Sequence, residues 1–207
     1  MGVTARPHDL IRLAGGAVAG AELPGWAVAS LAACGWAVVR RAPHPPGLIP
    51  IGVRGPQRSQ RHATLVPAEE VTRHVPPEEL NHPHPHATLP TVLCDTLSAV
   101  GPLLAQELGR EAVWGPVGSV GFELATGHRV THPASDLDLL VRMPHRLPPA
   151  TAARLVTAFT TLPSRVDCQL ETPPGGISLS EWARTGGPAL VRTPHGPELV
   201  DDPWASP

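Results

Sequence analysis

Two aspartates, Asp136 and Asp138, stand two residues apart in the apolar run Ser135-Asp136-Leu137-Asp138-Leu139-Leu140-Val141. A strand alternates its faces with period two, so the pair shares one face while Leu137 and Leu139 point into a core. Unpaired carboxylates on one face repel each other, and a divalent cation between them removes the conflict. Seventeen residues before Asp136 comes Ser119, in the small-residue turn Gly115-Pro116-Val117-Gly118-Ser119-Val120-Gly121. Backbone N–H groups of such a turn suit phosphate oxygens, with Gly118 and Ser119 as the expected cradle. No Gly-Lys-Ser/Thr ending follows, which excludes a P-loop. Carboxylates, a divalent metal and phosphate together read as phosphoryl or nucleotidyl transfer.

The elements around these residues follow from periodicity and punctuation. A helix is expected over residues 89–107, with Leu93, Leu97, Val100 and Leu104 at helical spacing. A short strand over 112–114 leads into the glycine-serine turn, and a helical turn over 122–125 is closed by Gly127. The motif strand over 136–141, a helix over 150–160 and a strand over 165–170 follow. In that last strand Asp167, Gln169 and Glu171 alternate with Val166, Cys168 and Leu170, so Asp167 is a candidate third carboxylate, with Glu171 as the alternative. The expected fold is α+β, a mixed sheet with flanking helices.

Nearer the N-terminus, Pro24 to Ala33 reads as a short helix ended by Gly35. Strands over 36–41 and 48–54 then form a hairpin in a smaller α+β unit. A polar, proline-rich stretch from Val66 to Pro90 marks a boundary. The expected division is an N-terminal domain over 1–78, a linker over 79–88 and a catalytic domain over 89–207. Arg54, Arg58 and Arg61 form a candidate guanidinium cluster for a phosphorylated substrate or an acidic carrier surface. His82, His84 and His86 alternate with proline, and read as a solvated segment rather than a metal site.

Composition narrows the partners. All sixteen basic residues are arginine, and the net charge is −2, without the basic excess of a protein that tracks nucleic acid. A small phosphorylated substrate fits better. Three widely spaced cysteines form no CxxC pair, so free thiols in a reducing cytoplasm are expected. The charge-free run Leu23 to Val39 is too short and too interrupted for a membrane span, which wants ~20 strongly apolar residues.

The glycine-serine turn, the Asp-x-Asp strand and the later lone aspartate resemble the polymerase-β-type nucleotidyltransferase superfamily. Within it the chain is similar, over nearly its whole length, to the phosphoribosyl-dephospho-coenzyme A transferases, the holo-acyl-carrier-protein synthases of malonate decarboxylase. The resemblance runs through Arg6-Pro7-His8-Asp9-Leu10, Ile49 to Gly55 with Arg58, Gln60 and Arg61, and Trp114 to Ser119. It continues through Thr126-Gly127, Ser135 to Leu140, Leu179-Ser180-Glu181-Trp182-Ala183 and the tail from Arg192-Thr193 to Asp202-Pro203-Trp204. It implies a nucleotidyltransferase-like catalytic domain in which Asp136 and Asp138 are the catalytic pair, holding Mg²⁺ (or Mn²⁺) with Asp167. It also implies transfer of triphosphoribosyl-dephospho-CoA to a serine of the apo acyl carrier protein subunit of malonate decarboxylase, with release of pyrophosphate. Adenylylation of a protein or small molecule is the alternative enzyme reading. A non-catalytic nucleotide- or carrier-binding module is the alternative outside enzymes, and the retained carboxylate pair argues against it.

Overall fold

A computed structural model describes residues 5–15, 23–57, 59–82 and 88–205. Among these residues the chain is a mixed α+β protein with two sheets and five α-helices, divided into two compact units at Pro76/Pro77.

The first unit is built on strands β1 (Leu10–Leu13), β2 (Trp36–Val39), β3 (Leu48–Arg54), β4 (Arg61–Pro67) and β5 (Val71–Val75), with helix α1 (Gly25–Cys34) between β1 and β2. The sheet order is β4-β3-β2-β1-β5, antiparallel at every junction. The expected pairing of the two apolar strands is present: Val38 faces Gly52 and Val39 faces Ile51. Alternation along β3 buries Ile49, Ile51 and Val53, which join Ile11, Ala37, Val39, Val66 and Ala27 of α1 in one core. Gly35 ends α1 at φ 71°, a left-handed cap whose N–H donates to the Leu31 carbonyl. Sequence patterning missed β1, β4 and β5. β5 falls inside the polar stretch read as a boundary, because an edge strand buried at Val75 alone carries little apolar alternation.

The second unit begins with a 3-10 turn over Pro77–Leu80, in which Leu80 is buried, so residues 79–82 of the expected linker belong to this unit. It continues with α2 (Thr91–Leu108), β6 (Val113–Pro116), α3 (Gly118–Thr126), β7 (Leu137–Arg142) and α4 (Pro149–Phe159). Then come β8 (Val166–Glu171), β9 (Gly176–Ser178), α5 (Leu179–Thr185), β10 (Ala189–Thr193) and β11 (Gly196–Val200). The six strands lie in the order β11-β10-β9-β8-β7-β6. All neighbours are antiparallel except β7 and β8. A parallel pair needs a crossover connection, and α4 supplies it. All four apolar positions expected on α2 are buried: Leu93, Leu97, Val100 and Leu104. Trp182 of α5 is fully buried, donates Nε1–H to the Leu147 carbonyl at 2.9 Å and meets Trp204 edge-on at 4.9 Å. These two indoles pack the molecule rather than forming an open platform.

Candidate active site

β7 is the central carrier of the site. Leu137 and Leu139 are buried at 0% and 1% exposure, while Asp138 between them is only partly buried. Asp136 stands at the lip just before the strand, not inside it, with its side chain 47% exposed. The strand starts one residue late because Ser135 is tied elsewhere: its N–H donates to the His132 carbonyl and its own carbonyl accepts from the Ser164 hydroxyl. Arg165 Nη1 lies 3.7 Å from Asp136 Oδ2, a loose contact between exposed side chains of the kind worth little in water.

The parallel pairing of β7 with β8 sets Asp138 directly beside Asp167. Neighbouring strands lie ~4.8 Å apart and register partners share a face, so the third expected carboxylate stands next to the motif aspartate. Glu171 is four residues further along β8, roughly 13 Å away, beside Arg142. Among the described residues no group of three or more His, Cys, Asp or Glu side chains converges closely enough to hold a metal alone.

α3 opens at Gly118, which adopts φ 60°, and the preceding Val117 donates its N–H to the Asp138 carbonyl at 2.9 Å. A Cβ at Gly118 would overlap the Asp138 carboxylate. Glycine is therefore required twice here, by the left-handed backbone and by the close approach. Val117, the residue before α3, offers no capping side chain, Ser119 is partly buried, and the leading N–H groups of a helix favour an anion. The structure thus brings Gly118, Ser119, Asp138 and Asp167 together, with Asp136 at the edge.

Glu123, one turn further along α3, has no counterpart among the sequence-derived candidates. It is 1% exposed and accepts hydrogen bonds from the Val130 and Thr131 N–H groups and from the Thr88 and Thr131 hydroxyls, all at 2.8–2.9 Å. Burial alone would raise its pKa, but these donors outweigh it and hold the carboxyl below its ordinary range. It ties the cradle helix to the loop that delivers Asp136. The one signal in the sequence was a lone carboxylate in the apolar turn Gly121-Phe122-Glu123-Leu124.

The remaining candidates lie in the first unit or in loops. Arg54 and Arg61 are register partners at the loop end of the β3–β4 hairpin, both exposed, and Arg58 lies outside the described residues. In the same unit Asp9 is fully buried and accepts from His74 Nε2 and the Arg6 N–H, each at 2.7 Å, next to His8 at φ 74°. A non-glycine residue held in left-handed backbone beside a buried carboxylate marks a constrained segment. His82 is exposed, whereas His84 and His86 lie outside the described residues. The three cysteines are free. Only Cys168 is buried, and burial pushes its thiol pKa up. No described helix is long and apolar enough to cross a membrane.

Comparison with known proteins bears on this arrangement. Residues 6–77 match the N-terminal domain, and residues 79–203 the C-terminal domain, of the phosphoribosyl-dephospho-CoA transferase MdcG. A phosphoribosyl-dephospho-CoA transferase of Pseudomonas putida is 43% identical over 202 residues, covering 97% of this chain and 95% of that protein. Proteins of the same name from Pseudomonas aeruginosa and Klebsiella pneumoniae are 42% and 38% identical, over 96% and 99% of this chain and 93% and 98% of theirs. No solved structure matches the chain. Two domain matches that together span almost every residue, with relatives near 40% identity end to end, place this chain in the phosphoribosyl-dephospho-CoA transferase family.

Proposed function

We propose that this transferase moves the phosphoribosyl-dephospho-CoA portion of triphosphoribosyl-dephospho-CoA onto a serine of the apo acyl carrier protein subunit of malonate decarboxylase. The serine oxygen forms a bond to the α-phosphorus, the bridging bond to the β-phosphate breaks, the hydroxyl proton is lost and pyrophosphate departs. The observation that carries the reading is the meeting of Asp138, Asp167 and the glycine-opened N-terminus of α3 at one point.

The donors present fit Mg²⁺. Carboxylate oxygens are the hard ligands it prefers, and it commonly takes only one or two of them, completing its shell with phosphate and water. Asp138 and Asp167, with Asp136 at the lip, are the residues that would hold it, and the first turn of α3 beside them would take the phosphates. When bound, the ion supplies charge neutralisation along the triphosphate and at the departing pyrophosphate. The N–H groups of Gly118 and Ser119 orient the phosphate chain, and the α3 dipole favours its negative charge. Glu123 keeps helix and motif loop in fixed relation, so the phosphate cradle and the carboxylates do not drift apart. A nucleotidyltransferase-like fold for the second unit and action in the cytoplasm, where free thiols persist, belong to the same reading.

Mass spectrometry of an apo carrier subunit incubated with the enzyme, the triphosphoribosyl precursor and Mg²⁺ tests the proposal. A mass gain equal to the prosthetic group, with stoichiometric pyrophosphate, is expected. An unmodified carrier, or a gain of one adenylyl group from plain ATP, would overturn it.

A further inference from the structure

The sheet face that carries Asp138 continues across three more strands. Register partners share a face, so Asp167 lies on that side, with Gln169 and Glu171 two and four residues further along β8. The opposite side is filled by Leu137, Leu139, Cys168 and Leu170. Register carries the polar face onward: Glu171 is opposite Gly176 on β9, and Gly176 is opposite Arg192 on β10.

Gly176 decides what happens there. A Cβ at this position would overlap the side-chain amide of Gln169. With no side chain at this position of β9, Arg192 reaches over it and donates Nη1–H to Gln169 Oε1 at 2.7 Å. Gln169 Nε2 in turn lies 3.4 Å from Glu171 Oε2, a long contact that agrees with the amide oxygen facing the arginine. A guanidinium carries five N–H donors in a planar fork, and Arg192 is exposed, so the fork can receive an oxyanion as well as hold Gln169. Its anchor lies two residues along β8 from Asp167, roughly 7 Å, a span comparable with a short polyphosphate.

We propose that Arg192, steered by Gln169 across the gap at Gly176, binds a phosphate group of the substrate on the carboxylate face. This rests on the transferase reading above. Two parts of that substrate offer the chemistry: the triphosphate that reacts, and the diphosphate within the dephospho-CoA arm. Arg192 then acts as a substrate-binding cation, and Gln169 as its positioning residue.

Calorimetric titration of the full chain with inorganic triphosphate and, separately, with dephospho-CoA, both in Mg²⁺, tests this alongside transfer kinetics. Arg192→Gln should weaken one probe by about tenfold to a hundredfold, as loss of a charged hydrogen bond does, and raise KM in proportion with kcat less affected. Arg192→Lys should recover part of that affinity, and Gln169→Ala should give a smaller loss than Arg192→Gln, with melting temperatures close to wild type. Loss confined to triphosphate places Arg192 on the reacting chain, and loss confined to dephospho-CoA places it on the arm. Unchanged affinity for both probes together with an unchanged KM overturns the assignment while leaving the transferase reading intact. A wild-type protein that binds neither probe and transfers nothing overturns the transferase reading, and this assignment with it.

Discussion

Asp138 is the residue on which the proposed chemistry converges, because its backbone holds the start of α3 and its carboxylate fills the space that Gly118 leaves empty. Asp138→Asn should lower kcat about a hundredfold or more, the loss expected when several kcal/mol of charge stabilisation is removed. Asp136→Asn should approach that loss, and Asp167→Asn should fall at least tenfold. Steady-state rates at saturating Mg²⁺ measure all three, and near-normal turnover in the Asp138 variant would remove it from the site. Gly118→Ala tests the same point from the other side. The new methyl group meets the Asp138 carboxylate while the backbone is forced to keep a positive φ, at about 1 kcal/mol for the strain alone. Activity should therefore fall much further than stability, and a denaturation curve beside a rate measurement separates the two.

Between elements, the decisive bond set is the one Glu123 makes from α3 to the loop before β7. Glu123→Gln keeps an amide oxygen for the Val130 and Thr131 donors and turns its NH₂ to the Thr88 hydroxyl, so it loses only the charge of the acceptor and should cost about 1–2 kcal/mol at neutral pH. The pH dependence has a definite sign. A carboxyl held below its ordinary pKa in the folded state contributes stability that is fully present above the unfolded value of ~4.3 and is lost as pH falls through the folded value. Urea midpoints of wild type and Glu123→Gln should therefore differ most near pH 7 and draw together below about pH 4. A gap that stays constant down to pH 3 would deny the carboxylate this role. In the first unit, Asp9→Ala, just before β1, strips the Arg6 N–H and His74 of a buried acceptor and should cost about 1–3 kcal/mol of stability, read as a lowered urea midpoint.

Across the whole molecule, each unit carries its own sheet and its own apolar core. The second depends on Trp182, which is fully buried, hydrogen-bonded to Leu147, packed on Trp204 and covered by the Arg146 guanidinium 5.0 Å above its ring. Trp182→Ala should destabilise that unit by about 3–5 kcal/mol, seen as a lowered melting temperature. Trp182→Phe should lose less, since only the Leu147 bond and part of the area disappear.

The strongest local patterns were enough to place the elements that carry the candidate site. Alternation along 48–54 and 136–141, the helical spacing of Leu93, Leu97, Val100 and Leu104, and glycines at helix ends are local signals, and each marks a real element. Strands with one solvated edge, such as β5 and β11, carry too little apolar contrast to be seen that way. Residue chemistry likewise singled out Asp136, Asp138, Gly118 and Asp167 before any geometry was known, because unpaired acids in an apolar strand and a small-residue turn are costly without a ligand. Which of these meet is a matter of pairing between distant segments, and no local pattern encodes it. The parallel register of β7 and β8 put Asp167, rather than Glu171, beside Asp138. Long-range hydrogen bonds and strand order, formed only when the chain closes on itself, revealed Glu123 as the clamp and brought Arg192 over Gly176 to Gln169.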